Sequence, residues 1–289
     1  MKSDSIKIGK RKLGLNSEAR AGIAFAAIPV LGFAVFYLVP FIVMIIRTFS
    51  EGLATYAKVL GSEAFRLAAG NSLKFILVGV PLLLLISLGL ALLLNRKFLK
   101  SDFYRAAFVL PLVLPSAAVV LVFQVFFDKG GVVNYLLERS GAETIDFLGT
   151  NNAFLVLLLL YVWKNMGYTI ILILAGLTQI PGEYYEVARI TGAGSLYQLR
   201  KITLPLMAPT FFFVVIISIV GTFKSFREAF VLGGIHPDDS IYMLQHFMNN
   251  NFANLNYPRL SVAAVMTFAV IFAFVLFMYL RQREGGLRK

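Results

Sequence analysis

Six long apolar runs dominate this sequence and limit it to a small set of folds. Each has about 20 residues or slightly more, the length that a helix needs to cross the hydrocarbon core of a bilayer. Because lipid offers the backbone no hydrogen-bonding partners, such runs must form helices or a closed barrel, and these are too long and continuous for barrel strands. The runs cover residues 21–46, 75–95, 106–127, 152–177, 202–223 and 260–280.

The composition agrees with a membrane protein. Hydrophobic residues make up 58% of the 289 residues and charged residues 15%, whereas soluble domains are about half apolar and a quarter charged. We predict an all-α, polytopic membrane protein with six transmembrane helices. Residues 21–282 would form the transmembrane domain, 1–20 a basic N-terminal segment and 283–289 a tail. The chain has no cysteine, which excludes disulfides and cysteine-based metal sites.

The basic residues predict the orientation of these helices, because cytoplasmic loops carry an excess of lysine and arginine. They cluster before the first run, after the second, between the fourth and fifth, and after the sixth, whereas the other loops mix bases with acids. We therefore expect both termini and the loop over residues 181–205 in the cytoplasm. The same distribution explains the net charge of +12 without a nucleic-acid partner. The first run is too long for the apolar region of a signal peptide, so we expect it to be retained.

The polar segment between the fourth and fifth runs has the signals of a short helix, a stop and a second helix. Pro181 fits a first helical turn, and the helix dipole favours the acids Glu183 and Glu186 there. Gly192 lies where this helix would end and can adopt the left-handed conformation of a C-cap. Ser195 can cap the second helix. These residues alone fit either an ordinary interfacial helix or a surface that a cytoplasmic partner grips.

The spacing within this segment resembles the EAA loop of the membrane subunits of type I ABC importers, specifically the sugar and glycerol-phosphate permeases of the maltose-transporter kind. The resemblance extends over residues 72–280 and includes the proline pair at 111 and 115 and the segment at 127–136. In that family the loop is a coupling helix that sits in a cleft of the ATPase. The resemblance implies an ATPase-coupling role for Glu183, Glu186, Ala188, Arg189, Gly192, Ile202, Leu204 and Pro205.

Two departures from the family pattern concern the docking surface and the substrate. Val187 stands where the family usually has alanine, and we expect this small side chain to be tolerated. We also expect the small Ala188 to let a partner backbone come close. The sugar members often carry Gly-Gly-Pro after the fifth helix, where this chain has Gly-Gly-Ile-His-Pro over residues 233–237. That difference weakens the inference to a particular substrate.

The resemblance implies a subunit that forms half of a translocation pore for an oligosaccharide or sugar derivative. Its partners would be a second, similar permease, two ABC ATPase subunits, an extracytoplasmic solute-binding protein and the lipid of a prokaryotic cytoplasmic membrane. The P-loop pattern G-x-x-x-x-G-K-[ST] is absent from the sequence, so ATP and Mg²⁺ would be bound by the partner ATPase. This chain would be a transport subunit and no enzyme, without a cofactor or metal of its own.

Polar residues inside membrane helices usually face the protein interior or a water-filled path. The fourth and fifth runs, which line the substrate cavity in that family, combine hydrogen-bonding groups with aromatic rings, as sugar sites do. The candidate substrate-path residues are Trp163, Lys164, Asn165, Tyr168, Ser218, Gly221, Thr222, Ser225 and Phe226. Small and hydroxyl residues also mediate contacts between membrane helices, so Ser218 and Thr222 fit either role.

Lys164 is the one charge that interrupts an apolar run. A lysine at mid-membrane costs roughly 2.5–3.5 kcal/mol on insertion scales, so it needs a partner or water. It would either attract an anionic substrate or form a buried pair across the subunit interface. Lys224, Arg227 and Glu228 lie toward the outer end of the fifth segment, and the last two fit interfacial anchors or an ion pair.

Three alternatives remain open from the sequence. An ion-gradient-driven secondary transporter would need acids inside the membrane, and the runs have essentially none away from their ends. An ABC importer for a non-sugar solute, such as glycerol phosphate, fits the same motifs. A membrane enzyme would need clustered acids, histidines or a nucleophile. His236 and His246 in the loop over 233–258 have no such companions, and this loop would either touch a binding protein or be solvated.

Overall fold

The computed structural model of the protein describes residues 17–50, 52–95, 107–108, 110–111 and 113–287. Within these ranges the regular secondary structure is helical, and no strand occurs. The chain divides into two compact units after Gly52. Most of the basic N-terminal segment, the basic loop after the second run and the last two residues lie outside the described residues.

The first unit is one long apolar helix with a local change of hydrogen bonding. It consists of α1 (Ser17–Phe33), a π-helical turn (Ala34–Leu38) and α2 (Val39–Ser50). The Val39 N–H bonds to the Ala34 carbonyl, five residues back. This widened turn comes directly before Pro40, which has no N–H to donate and whose ring would crowd the carbonyl four residues earlier. The turn therefore accommodates the proline without breaking the helix.

The second unit contains the remaining helices. The longer ones are α3 (Leu53–Gly61), α4 (Glu63–Leu94), α5 (Ser116–Phe127), α6 (Val132–Arg139) and α7 (Ala153–Thr178). The polar segment then forms α8 (Glu183–Ile190), α9 (Ser195–Gln198), a π-helical turn (Leu199–Thr203) and α10 (Leu204–Leu206). The chain ends with α11 (Ala208–Lys224), α12 (Phe226–Gly233), a 3-10 turn (Asp239–Ile241), α13 (Leu244–Ala253) and α14 (Tyr257–Leu287).

Six helical segments of the described chain are long and apolar enough to cross a membrane, as the sequence predicts. They are Ala21–Phe49, Glu63–Leu94, Ser116–Arg139, Ala153–Thr178, Ala208–Gly233 and Tyr257–Gln282. We call them spans one to six. In the third run, helix α5 begins directly after Pro115.

The second span begins well before the predicted residue 75. Phe65, Ala68 and Ser72 are buried on one face of α4, and their spacing of three and four residues is that of a helix face. The polar residues between them lie on the other faces, so the hydropathy is low although the helix is continuous. The second membrane helix therefore begins 12 residues earlier than the apolar run at 75–95 predicts.

The fifth span is shifted along the chain relative to its prediction at 202–223. Pro205 and Pro209 bend its start, because neither can donate a backbone hydrogen bond, and the straight helix begins only at Ala208. Its end extends through α12 to Gly233. This shift brings Lys224, Arg227 and Glu228 into the span.

Span four, which is α7, lies at the centre of the second unit. In the most apolar 18-residue stretch of span four 56% of the residues are buried, against 28% or less in the same stretch of each other span. Tyr161 is fully buried, its ring centroid lies 5.3 Å from that of Phe75, and its hydroxyl donates a 2.8 Å hydrogen bond to the Ser218 carbonyl. This side chain therefore ties α7 to α4 and α11 at once.

A second close contact joins α7 and α11 near the polar segment between them. A Cβ atom placed on Gly176 would lie 2.6 Å from Thr210 Oγ1 and 2.8 Å from Thr210 Cγ2. Those distances are too short for non-bonded atoms, so only glycine permits the helices to approach this closely. Gly176 is near the end of α7 and Thr210 near the start of α11.

The segment between spans five and six is more structured than the predicted loop. Leu244, His246 and Phe247 of α13 are buried, and the Phe247 ring lies 5.4 Å from that of Phe65 in α4. The Ser72 hydroxyl accepts a 2.9 Å hydrogen bond from the Leu244 N–H. The alternative of a fully solvated loop was therefore wrong for α13, which packs on α4.

Candidate functional site

A cavity of about 660 Å³ opens among α5, α7, α11 and α12. Its lining combines apolar, hydroxyl, amide, aromatic and charged side chains. The lining residues are Leu114, Pro115, Ser116, Lys164, Asn165, Tyr168, Ile217, Val220, Gly221, Lys224, Ser225, Arg227 and Glu228. Such a mixture, inside spans that are otherwise apolar, is expected of a path for a polar solute.

The charged centre of this cavity is an ion pair within the chain. Lys164 Nζ lies 2.5 Å from Glu228 Oε1 and 2.6 Å from the Ser116 hydroxyl oxygen. The side chains of Lys164 and Glu228 are 15% and 5% exposed. The pair joins α5, α7 and α12. Because a buried carboxylate or ammonium left alone is costly, each charge stabilises the other.

This pair decides between the two roles that the sequence left open for Lys164. Lys164 has its counter-charge, so the buried-pair alternative is confirmed, but Glu228 belongs to this chain rather than to a neighbouring subunit. Glu228 is buried in the last two turns of span five, and of its two expected roles, interfacial anchor or ion pair, the ion pair is confirmed, with Lys164 rather than Arg227 as its partner.

Five of the nine candidate substrate-path residues line the cavity, namely Lys164, Asn165, Tyr168, Gly221 and Ser225. The Asn165 amide nitrogen donates a 2.8 Å hydrogen bond to the Tyr161 carbonyl, which fixes the orientation of that side chain. Tyr168 is 38% exposed. The cavity thus offers an oriented amide and an aromatic ring side by side on α7.

The other four candidates lie elsewhere. Trp163 packs on Phe123 with 5.9 Å between ring centroids, and Phe226 packs on His246 at 4.8 Å. Ser218 and Thr222 are each 4% exposed, and the Thr222 hydroxyl donates to the Ile219 carbonyl of its own helix. These four residues do not line the cavity.

The face of α11 that lines the cavity differs from the expected one by one residue. Ile217 and Gly221 line the cavity, whereas Ser218 and Thr222, each one position later, do not. One residue corresponds to about 100° around a helix. The sequence showed that a polar stripe existed, but only packing against α7 and α4 determines which stripe faces the cavity.

The segment after α7 forms the predicted helix, stop and second helix. Glu183 and Glu186 lie in the first turn of α8. Gly192 has φ of +76°, its N–H bonds to the Arg189 carbonyl at 3.0 Å, and the next N–H, of Ala193, bonds to the Ala188 carbonyl at 2.8 Å. These two bonds form a Schellman C-cap, which requires the left-handed residue that glycine supplies.

Two details of that segment differ from their predictions. Pro181 precedes the N-cap Gly182 and is not in the first turn of α8. Ser195 is the first residue of α9 and its side chain makes no capping hydrogen bond, because Gly194 occupies the N-cap. A hydrogen bond of 2.9 Å between the Tyr185 and Thr203 hydroxyls ties α8 to the turn before α10.

Helices α8 and α9 expose five large apolar side chains. We call these residues together the loop face, and they are Tyr184, Val187, Ile190, Leu196 and Tyr197, which are 52–86% exposed. Ala188 is only 8% exposed, so the expectation that it would admit a partner backbone was wrong, because its methyl group faces inward. Of the other candidate coupling residues, Glu183, Glu186, Arg189, Gly192 and Pro205 are exposed, and Ile202 and Leu204 are half-buried.

A buried histidine lies between spans five and six. His246 is fully buried, its Nδ1 accepts a 3.1 Å hydrogen bond from the Met243 N–H, and its Nε2 has no hydrogen-bond partner among the described residues. Its ring stacks on that of Tyr242 at 5.5 Å. Burial lowers the pKa of His246 from 6.5 to about 4, so the imidazole is neutral at pH 7.

Comparison with known proteins gives the family. The chain is 31% identical over 261 residues to "Probable ABC transporter permease protein YesP" of Bacillus subtilis, covering 83% of this chain and 84% of that one. It is 31% identical to the arabinooligosaccharides transport system permease protein AraP of the same species, covering 75% and 73%. The fold matches a chain in a crystal structure of a bacterial ABC transporter involved in the import of the acidic polysaccharide alginate, with a TM-score of 0.78 at 22% identity over 92% and 96% of the two chains.

One protein family matches the sequence over most of the second unit. Residues 84–284 match the family described as binding-protein-dependent transport system inner membrane component. This range contains the cavity, the ion pair and the loop face, and the expected resemblance to ABC importer permeases is confirmed. The chain is therefore a multi-pass membrane subunit of a transport system and belongs to the binding-protein-dependent transport system inner membrane component family.

Proposed function

We propose that this chain forms half of the translocation pore of an ATP-driven importer for a carbohydrate. The cavity among α5, α7, α11 and α12 is the observation that carries the proposal, because it places the Asn165 amide and the Tyr168 ring beside charged groups inside membrane spans. Hydroxyl-rich solutes need such hydrogen-bonding groups together with flat apolar surfaces. The similarity to AraP, which is named as an arabinooligosaccharide permease, supports the same class of substrate.

The loop face is the proposed docking surface for an ATPase. Monomeric surfaces rarely expose contiguous large apolar side chains, and such a patch beside polar residues is typical of a protein interface. Ile190 and Leu196 are 86% and 78% exposed. The Schellman cap at Gly192 and the Tyr185–Thr203 hydrogen bond hold this surface in one conformation. ATP and Mg²⁺ would bind in the partner, and ATP-driven movement of α8 would be passed to α7 and α11.

The proposed assembly has this chain beside a second, similar permease, with two ATPase subunits below and a solute-binding protein above. The distribution of basic residues supports a cytoplasmic position for both termini and for the loop face. The segment over 233–258 would then lie on the opposite side, where a binding protein delivers its solute. We place the assembly in the cytoplasmic membrane of a prokaryote.

The test is reconstitution of the complete importer in proteoliposomes. We expect solute uptake to require ATP on the side of the loop face and the binding protein on the other side, and to be unaffected by ionophores that collapse ion gradients. We also expect the ATPase to co-purify with this chain in mild detergent. Uptake that persists without ATP and stops with an ionophore would instead favour the secondary transporter.

One observation bears on that alternative. A secondary transporter needs a carboxylate that can bind an ion during each cycle, and among the described residues of the spans Glu228 is the acid that is buried. Its carboxylate is already bonded to Lys164, so a cation would have to displace an ammonium group. The pair therefore favours the ATP-driven mechanism.

A further inference from the structure

Lys224 and Arg227 line the cavity without a counter-charge. Within the described part of the chain, the ion pair at the cavity joins Lys164 to Glu228, and neither Lys224 nor Arg227 has an acidic partner. Three cationic side chains and one carboxylate line the cavity, which leaves two positive charges in excess. Both unpaired side chains are exposed.

The position of these two residues makes their charge unusual. Lys224 ends α11 and Arg227 lies in the first turn of α12, so both are within span five. Cationic side chains in a span need water or an opposite charge, and these two line the cavity. A cleft with low-dielectric walls focuses the field of fixed charges instead of screening it. The cavity should therefore concentrate anions.

The chemistry of the two groups suits an anionic substituent on a sugar. A guanidinium group binds carboxylate or phosphate through two parallel hydrogen bonds, and an ammonium group adds a point charge. Asn165 and Tyr168, on the facing helix α7, remain available for hydroxyl groups and a ring. Lys164 is not available for this purpose because Glu228 and Ser116 bind its ammonium group.

We propose that the solute of this importer is an acidic carbohydrate, and that Lys224 and Arg227 form the site for its carboxylate, sulfonate or phosphate group. The carbohydrate part of this inference rests on the proposed function, whereas the anionic part rests on the cavity alone. The site suggested by the sequence, Lys164, is thus replaced by two cations on the neighbouring span.

Cysteine labelling tests the charge of the cavity in the assembled importer. The chain has no native cysteine, so Tyr168→Cys introduces one thiol at the cavity, and Ser140→Cys introduces one in the exposed turn after α6 as a reference. Labelling rates are measured with a sulfonate-bearing and a trimethylammonium-bearing methanethiosulfonate reagent. We expect the ratio of anionic to cationic rates at residue 168 to exceed the reference ratio about tenfold.

Variants that remove one positive charge each show which residues cause the faster labelling by the anionic reagent. Lys224→Gln and Arg227→Gln should each lower the ratio severalfold and together bring it to the reference value. Arg259→Gln, which removes an exposed charge at the start of α14, should leave it unchanged. A ratio equal to the reference in the unsubstituted importer, for example because a partner subunit supplies acids, would overturn the proposal. So would a ratio that the double variant does not change.

The solute itself gives the second readout. The binding protein of the same importer is purified with its retained solute, which is released and identified by mass spectrometry. An acidic sugar is the expected result, and a neutral sugar would refute the anion site while leaving the carbohydrate importer intact. A retained anion that is not a carbohydrate would refute the carbohydrate importer and leave the anion site intact. The two proposals can therefore be refuted independently of each other.

Discussion

Lys164 and Glu228 hold three membrane spans together through one ion pair, with 2.5 Å between Nζ and Oε1 and the Ser116 hydroxyl as the third member. The pair lies beside the cavity, and its two side chains are largely shielded from water. The lining of the cavity therefore combines a neutralised pair with two cations that have no acidic partner among the described residues. The pair therefore stabilises the packing of these three spans against one another.

Removing one partner of the pair should destabilise the protein more than removing both. Glu228→Gln leaves a buried ammonium group without its counter-charge, and such losses cost about 3–5 kcal/mol in proteins. We expect a clear fall in Tm of the purified complex for Glu228→Gln and for Lys164→Met. The double variant Lys164→Met with Glu228→Leu should recover most of that loss, because no charge remains buried. Additive losses in the double variant would show that the pair contributes little.

The loop face and the buried Ala188 should respond differently to substitution. Ile190→Asp changes an exposed side chain, so stability should change by no more than about 0.5 kcal/mol, while co-purification of the ATPase falls at least tenfold. Ala188→Leu puts extra volume into a buried position and should cost about 1–3 kcal/mol of stability. Ile190→Leu is the matched control and should retain the ATPase. Normal ATPase binding by Ile190→Asp would remove the loop face as a docking surface.

Any side chain at position 192 should weaken the coupling between ATP hydrolysis and solute import. The Gly192 φ of +76° costs an L-residue roughly 1–2 kcal/mol, and the cap that orders α8 depends on it. Gly192→Ala should therefore lower the ratio of solute imported to ATP hydrolysed, with a larger effect for Gly192→Val. Gly182→Ala is the control, since Gly182 has an ordinary helical conformation and open space at its Cβ position. Equal effects at both positions would contradict the prediction.

His246 should make stability depend on pH below neutrality. Its pKa is 6.5 when exposed and about 4 in the folded protein, so the unfolded chain binds a proton that the folded chain does not. The stabilising contribution is complete above pH 6.5 and is lost as the pH falls towards 4, by up to about 3 kcal/mol. Tm measured from pH 7.5 to 4.5 should fall more steeply for the parent than for His246→Asn, whose amide oxygen can still accept from the Met243 N–H. Parallel curves would refute the assignment.

The six spans could be predicted because an apolar run of sufficient length has few alternatives in a bilayer. The helix, stop and helix of the loop could be predicted because acids at a helix start and glycine at its end act locally. The face of α11 could not, since Ser218 and Ile217 differ by one position and only the packing around Tyr161 selects between them. The Lys164–Glu228 pair could not either, because its partners are 64 residues apart in sequence.

The contact of Gly176 with Thr210 closes the base of the segment that carries the loop face. The two helices that flank this segment touch there without room for even a methyl group, so they cannot move closer together at that point. If a partner moves α8 as we propose, α7 and α11 would start from direct contact, and a displacement of one helix towards the other would push the other in the same direction.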